Sequence, residues 1–208
     1  MRLLKLMAAA AFCITVGLAL KPVPQIITIG TIAPKSDWKM EDISGAAYAL
    51  TDLKQENGLL VVFSCNTCPF VLAWEDRYDN IAKQCEKQKI GMLAINSNEA
   101  KRTSESTDDS MEAMKAHAKE KGYTFKYVLD KDSELAVAFG ATKTPQIFLF
   151  GKDLTLQYTG AIDDNLKDAS KVENDYLLEA ISNLAKGKKI DPNTTTALGC
   201  SIKRVAVE

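Results

Sequence analysis

Two cysteines stand two residues apart in Cys65-Asn66-Thr67-Cys68-Pro69, directly after the apolar run Leu59-Leu60-Val61-Val62-Phe63. Thiols this close can pass between dithiol and disulfide, which is the chemistry of thiol–disulfide exchange. A bridge closing so short a loop removes little entropy from the unfolded chain, so its use is chemical rather than structural. The thiolate is the reactive form, and a helix N-terminus favours it through unpaired N–H groups and roughly half a positive charge. Because an amphipathic helical pattern follows the apolar run, the pair falls at a strand-to-helix junction, which biases Cys65 toward reactivity. Asn66 and Thr67 are neutral and can tune the sulfurs only by hydrogen bonding.

Other residues with chemical potential are fewer. A zinc site needs four ligands, yet there is no second closely spaced Cys/His pair and the only histidine is His117, so no metal is expected. Cys85 belongs to an apolar helical stripe and reads as core. Cys200 sits on a polar tail, where a redox or bridging role competes with a packing or free-thiol role. His117 shares a helix with several lysines and is expected in solvent. Asp163 and Asp164 are accounted for by turn chemistry.

The elements that must position the pair follow from the hydrophobic periods. Leu59 to Ser64 is the best central strand, apolar on both faces as a parallel strand under helices should be. One helix is expected from about Cys68 to Lys87, with Phe70, Trp74, Tyr78, Ile81 and Cys85 on one face. Ile90 to Asn96 is a second strand, and Asp109-Ser110-Met111-Glu112 reads as a capping box opening a helix that closes near Gly122. Tyr127 to Leu129 is a strand, Leu135 to Phe139 a helix, and Gln146 to Phe150 a strand that turns at Gly151-Lys152-Asp153 into an antiparallel partner, Leu154 to Tyr158. Tyr176 to Leu184 is the last helix. Ile26 to Ile29 is a short strand or extended segment, and residues 33 to 53 are turn-rich and wrap the domain edge. This order predicts an α/β domain, a mixed sheet with helices on both faces.

With 26 basic and 27 acidic residues the net charge is -1, so there is no basic footprint for nucleic acid or an anionic membrane. Arg2 and Lys5 precede an uncharged stretch from Leu6 to Leu20, the pattern of a secretory signal with a small-x-small cleavage site. At about fifteen residues the stretch falls short of the roughly 20 that span a bilayer, so no stable membrane span is expected after cleavage, an uncleaved anchor being the alternative. The expected layout is a signal peptide at 1–20, one domain at 21–187 and a C-terminal tail at 188–208, with an extracytoplasmic location, periplasmic or secreted. Cleavage removes Cys13 and leaves Cys65, Cys68, Cys85 and Cys200.

The strand–Cys65-x-x-Cys68–helix junction, the Thr144-Pro145 pair before a hairpin strand and the closing helix together resemble the thioredoxin fold, over roughly Ile26 to Lys186. More narrowly, Cys65 to Val71, Ala94-Ile95-Asn96-Ser97-Asn98, Lys119 to Phe125, Gly160 to Asn165 and Gly199-Cys200-Ser201-Ile202-Lys203 resemble an exported branch of the thioredoxin-like redoxin family, placed beside the alkyl hydroperoxide reductase/thiol-specific antioxidant proteins. The resemblance implies a thiol–disulfide oxidoreductase without cofactor, acting on protein thiols or disulfides with a redox partner that the sequence does not identify. It implies that Cys65 attacks and Cys68 resolves. It also implies that Pro145 is cis and faces the pair, with the Thr144 backbone free to bind an extended substrate strand. Two departures matter. Leu59 stands where many thioredoxins carry a buried aspartate, so no proton acceptor for Cys68 is identified, and Thr67 stands where many members of the branch have histidine.

Two other activities fit parts of the pattern. Peroxidases of the wider family place threonine or serine three residues before the reactive cysteine. Here Val62 holds that place relative to Cys65, and Cys65 holds it relative to Cys68, which weakens a thiol peroxidase reading. A copper-binding thioredoxin-like module would use two cysteines and a distant histidine, for which only His117 is available.

Overall fold

The computed structural model describes residues 25–205; the expected signal segment at 1–20 and Cys13 lie outside the described residues. Seven strands form one mixed sheet: β1 (Met40–Asp42), β2 (Ala47–Tyr48), β3 (Gly58–Ser64), β4 (Ile90–Asn96), β5 (Lys126–Leu129), β7 (Gln146–Phe150) and β8 (Leu156–Gly160). Their order is β2-β1-β5-β4-β3-β7-β8. The parallel strands β3, β4 and β5 hold the centre, and antiparallel pairs extend it on either side.

Every residue of β3 is buried because the strand has helices over both faces. Leu59, Val61 and Phe63 point to one side, where Phe139, Phe148 and Phe150 pack. Leu60 and Val62 point to the other, against Trp74, Tyr78, Ile81, Leu177 and Ile181. Burying one such side chain is worth about 1.5–3 kcal/mol. The register of β3 is therefore strongly specified, and with it the place where the strand releases Cys65.

The helices are α1 (Leu50–Leu53), α2 (Pro69–Trp74), α3 (Tyr78–Lys87), α4 (Met111–Lys121), α5 (Glu134–Phe139) and α6 (Tyr176–Ala185). The single helix expected over 68–87 is instead broken by a 3-10 turn at Glu75–Arg77. Tertiary anchors explain the break. Trp74 Nε1 donates to Asp163 Oδ1 at 2.9 Å, and Arg77 Nε lies 3.0 Å from Asp163 Oδ2. Glu75 turns inward, where His117 and Tyr123 hydrogen-bond its carboxylate. His117 is thus not in solvent: its side chain is 11% exposed and hydrogen-bonded to Glu75. Asp163 does more than close a turn, since it ties the helix after the cysteines to the β8–α6 connection. The cap of α4 is Ser110, whose Oγ accepts from Ala113 N, while Asp109 turns into the interior.

Ile26 to Ile29 forms no strand; it is irregular and enters a turn at Ile29–Gly30, with Ile27 N donating to Phe139 O. The edge-wrapping stretch does more than wrap, because β1 and β2 add two strands to the sheet. The described part of the expected tail, 188–205, folds onto the domain. Ile190 and Ile202 are buried, and β9 (Cys200–Ser201) pairs antiparallel with β6 (Lys143–Thr144). Among the described residues no helix is long and apolar enough to cross a membrane.

Candidate active site

Three segments meet at the cysteines. The first is the turn between β3 and α2. The helix begins at Pro69, a position that suits proline because its missing N–H would have no intrahelical partner. Cys68 is therefore the N-cap. The second segment is the β6–β7 connection, where the Thr144–Pro145 peptide bond is cis. Thr144 touches both sulfurs: its Oγ1 lies 3.4 Å from Cys65 Sγ, and its carbonyl oxygen 3.0 Å from Cys68 Sγ. The third is β9, which sets Cys200 directly across from Thr144. Cys65, Cys68 and Val71 form one buried cluster against which Cys200 packs. A pocket of about 190 Å³ opens here, lined by Cys65, Cys68, Thr144, Cys200, Lys101 and Lys203 among others. A larger cleft of about 520 Å³ between Ile26–Ile29 and the tail contains none of the sulfurs, so size does not mark the reactive place.

The two sulfurs share one proton, so the first ionisation of the pair is eased and the second opposed, while burial raises the cost of charge on either. The Thr144 groups treat them differently. Its hydroxyl can donate to an ionised Cys65, whereas its carbonyl, 3.0 Å from Cys68, accepts from a protonated thiol and would repel an ionised one. The helix starts at Pro69, and both sulfurs are buried, Cys65 at 2% and Cys68 at 5% exposed.

The sequence reading missed the network behind the turn. Asp109, fully buried, accepts from Asn66 N at 2.9 Å and Asn96 Nδ2 at 2.7 Å through Oδ1, and from Asn98 Nδ2 at 2.9 Å through Oδ2. Tyr127 Oη donates to Asn66 Oδ1 at 2.9 Å. Asn98 Oδ1 in turn accepts from Lys203 N on the tail at 2.9 Å. One carboxylate thus braces both the cysteine turn and the strand that carries Cys200. The signal available was three polar residues, Asn96-Ser97-Asn98, at the end of an otherwise apolar strand.

Cys85 lies apart in the core, and burial pushes its thiol up to about 12. Among the described residues no group of three or more His, Cys, Asp or Glu side chains is disposed to hold a metal ion. His117 Nε2, which a copper site would need, is engaged by Glu75.

A central mixed sheet with helices on both faces, a dithiol at the β3–α2 junction and a cis-proline opposite it define a thioredoxin-like domain. The AhpC/TSA family profile matches residues 29–159, and the chain belongs to that family and is an oxidoreductase. A hypothetical protein from Sinorhizobium meliloti 1021 is 32% identical, with 88% of this chain and 98% of that one covered at a TM-score of 0.79. An uncharacterized conserved protein from Geobacillus kaustophilus is 30% identical, with 87% and 94% covered and the same TM-score of 0.79. The peroxidoxin BcpB of Mycobacterium tuberculosis is 13% identical, with 74% and 96% covered at a TM-score of 0.57, a likeness of fold alone. No curated protein matched.

Proposed function

We propose that the protein is an exported thiol–disulfide oxidoreductase in which Cys65 and Cys68 cycle between dithiol and disulfide with protein thiols or disulfides as clients. The observation that carries this reading is the pair of free thiols beside the cis-proline, both in contact with Thr144, at 3.4 Å from Cys65 and 3.0 Å from Cys68. The Cys65 thiolate attacks a client disulfide, forming a mixed disulfide and releasing one client thiolate. Cys68 then attacks Cys65, the second client sulfur leaves and takes the Cys68 proton, and two electrons have passed to the client. Thr144 supports this order, because the attacking sulfur must be the ionised one, and its hydroxyl can donate to a Cys65 thiolate while its carbonyl accepts from a Cys68 thiol. The basic and apolar N-terminal pattern supports export, and Thr144 and Pro145 support client positioning.

A second reading, a thiol peroxidase, is supported by the AhpC/TSA family match and by the likeness of fold to a peroxidoxin. Insulin reduction and peroxide consumption, measured on the wild type, Cys65→Ser and Cys68→Ser, separate the two. The exchange reading expects insulin reduction to vanish in Cys65→Ser, and Cys68→Ser to accumulate a mixed disulfide with the client. Insulin reduction retained in Cys65→Ser refutes the assignment, and rapid peroxide turnover with no insulin reduction favours the peroxidase.

A further inference from the structure

The edge of β6 next to the cis-proline, where an extended client would pair, is already taken by the chain's own β9. Lys143 faces Ser201 and Thr144 faces Cys200 in antiparallel register. Several contacts hold the strand there: Ile202 N donates to Thr142 O at 2.9 Å, Ala100 N to Lys203 O at 2.8 Å, and Lys143 Nζ to Ala197 O at 2.9 Å. The approach at Gly199 is so close that a β-carbon there would lie 2.4 Å from the Thr144 carbonyl oxygen, so only glycine fits. The result is a cysteine held against the Cys65–Cys68 cluster and in the same pocket, on a strand of the protein's own. Cys200 is half-buried, whereas Cys65 and Cys68 are buried.

We propose that Cys200 is a third exchange sulfur and β9 a tethered substitute for the client strand, so that the disulfide moves from Cys65–Cys68 to Cys68–Cys200. This rests on the dithiol-exchange reading above. The Cys200 thiolate attacks Cys68 Sγ, the Cys68–Cys200 bond forms, the Cys65–Cys68 bond breaks, and Cys65 leaves as a thiolate that takes up the proton Cys200 lost. No net electrons are transferred. The oxidised bond moves to the more exposed position, where an external dithiol can reach it, and the arm must lift off Thr144 before a protein client can pair there.

The test is disulfide mapping by peptide mass spectrometry after diamide oxidation and quenching with N-ethylmaleimide. In monomeric Cys65→Ser the expected product is an intramolecular Cys68–Cys200 bond. Gly199→Ala, which displaces β9 and leaves all three sulfurs in place, should slow that bond at least tenfold in the Cys65→Ser background and leave Cys65–Cys68 formation in an otherwise wild-type chain unchanged. Free Cys68 and Cys200 thiols, or only intermolecular cross-links, in Cys65→Ser overturn the proposal. If wild type then still forms Cys65–Cys68 and reduces insulin, the exchange reading survives without the third sulfur; if it does neither, that reading fails on its own account. Cys65→Ser decides the question even if Gly199→Ala does not fold.

Discussion

Asp109→Asn is the substitution that probes the site most directly, because it changes one buried atom pair and leaves every sulfur in place. The native carboxylate takes two donors on Oδ1 and one on Oδ2. The asparagine oxygen can keep Asn66 N and Asn96 Nδ2, but its amide nitrogen then faces the Asn98 amide, donor against donor. A hydrogen bond to a charged group is worth about 1.5–3 kcal/mol, against about 0.5–1.5 for a neutral one. Losing one and weakening two costs about 4 kcal/mol. Relief from burying an ion returns part of this, since that burial costs several kcal/mol before compensation. A net loss of about 2 kcal/mol remains, roughly a thirtyfold change in the folding equilibrium, where tenfold is about 1.4 kcal/mol. Urea unfolding measures it. Two further readouts distinguish a bracing role from general destabilisation. With the Asp109 charge gone, Cys65 should titrate at lower pH, read by thiolate absorbance in a Cys68→Ser background. With Asn98 loosened, trypsin should cut after Lys203 faster than in wild type under native conditions. Unfolding within about 0.5 kcal/mol of wild type together with an unmoved Cys65 titration would refute the idea that this carboxylate links the cysteine turn to the tail.

Sharing one proton eases the first ionisation of the Cys65–Cys68 pair, so its iodoacetamide rate should rise less steeply from pH 6 to 8 than that of an ordinary thiol with a pKa of about 8.5, which accelerates close to tenfold per unit; a tenfold rise per unit over that interval would contradict the shared proton. Cys85, raised to about 12 by burial, should stay unlabelled at pH 8 in the native protein and react only on denaturation, as peptide mapping would show. Glu75 is buried, which raises its pKa, but hydrogen bonds from His117 and Tyr123 and the charges of His117 and Lys121 outweigh this and lower it overall. A carboxyl whose pKa is lower folded than unfolded stabilises the protein above its unfolded pKa of about 4.3 and loses that contribution as pH falls through the folded value. Glu75→Gln should therefore cost about 2 kcal/mol in urea unfolding at pH 7, with the gap to wild type shrinking below about pH 4; a gap independent of pH would count against the ion pairing.

The sequence by itself determined the central strand, the dithiol at its end, the hairpin at Gly151–Asp153 and the mixed sheet, because local periodicity and turn chemistry act on neighbouring residues. It could not place His117 or break the helix at Glu75. Both depend on partners tens of residues away, and the amphipathic pattern is continuous across the break. The surroundings of the two sulfurs were likewise a tertiary decision. Spacing names two cysteines, but the Thr144 hydroxyl and carbonyl meet them only once the distant β6–β7 connection is in position. Asp109 reads as an ordinary cap residue until the fold turns it inward, and the tail reads as solvated until β9 meets Thr144. In each case the deciding contact is long-range, and no period in the chain encodes which distant polar group will satisfy a buried one.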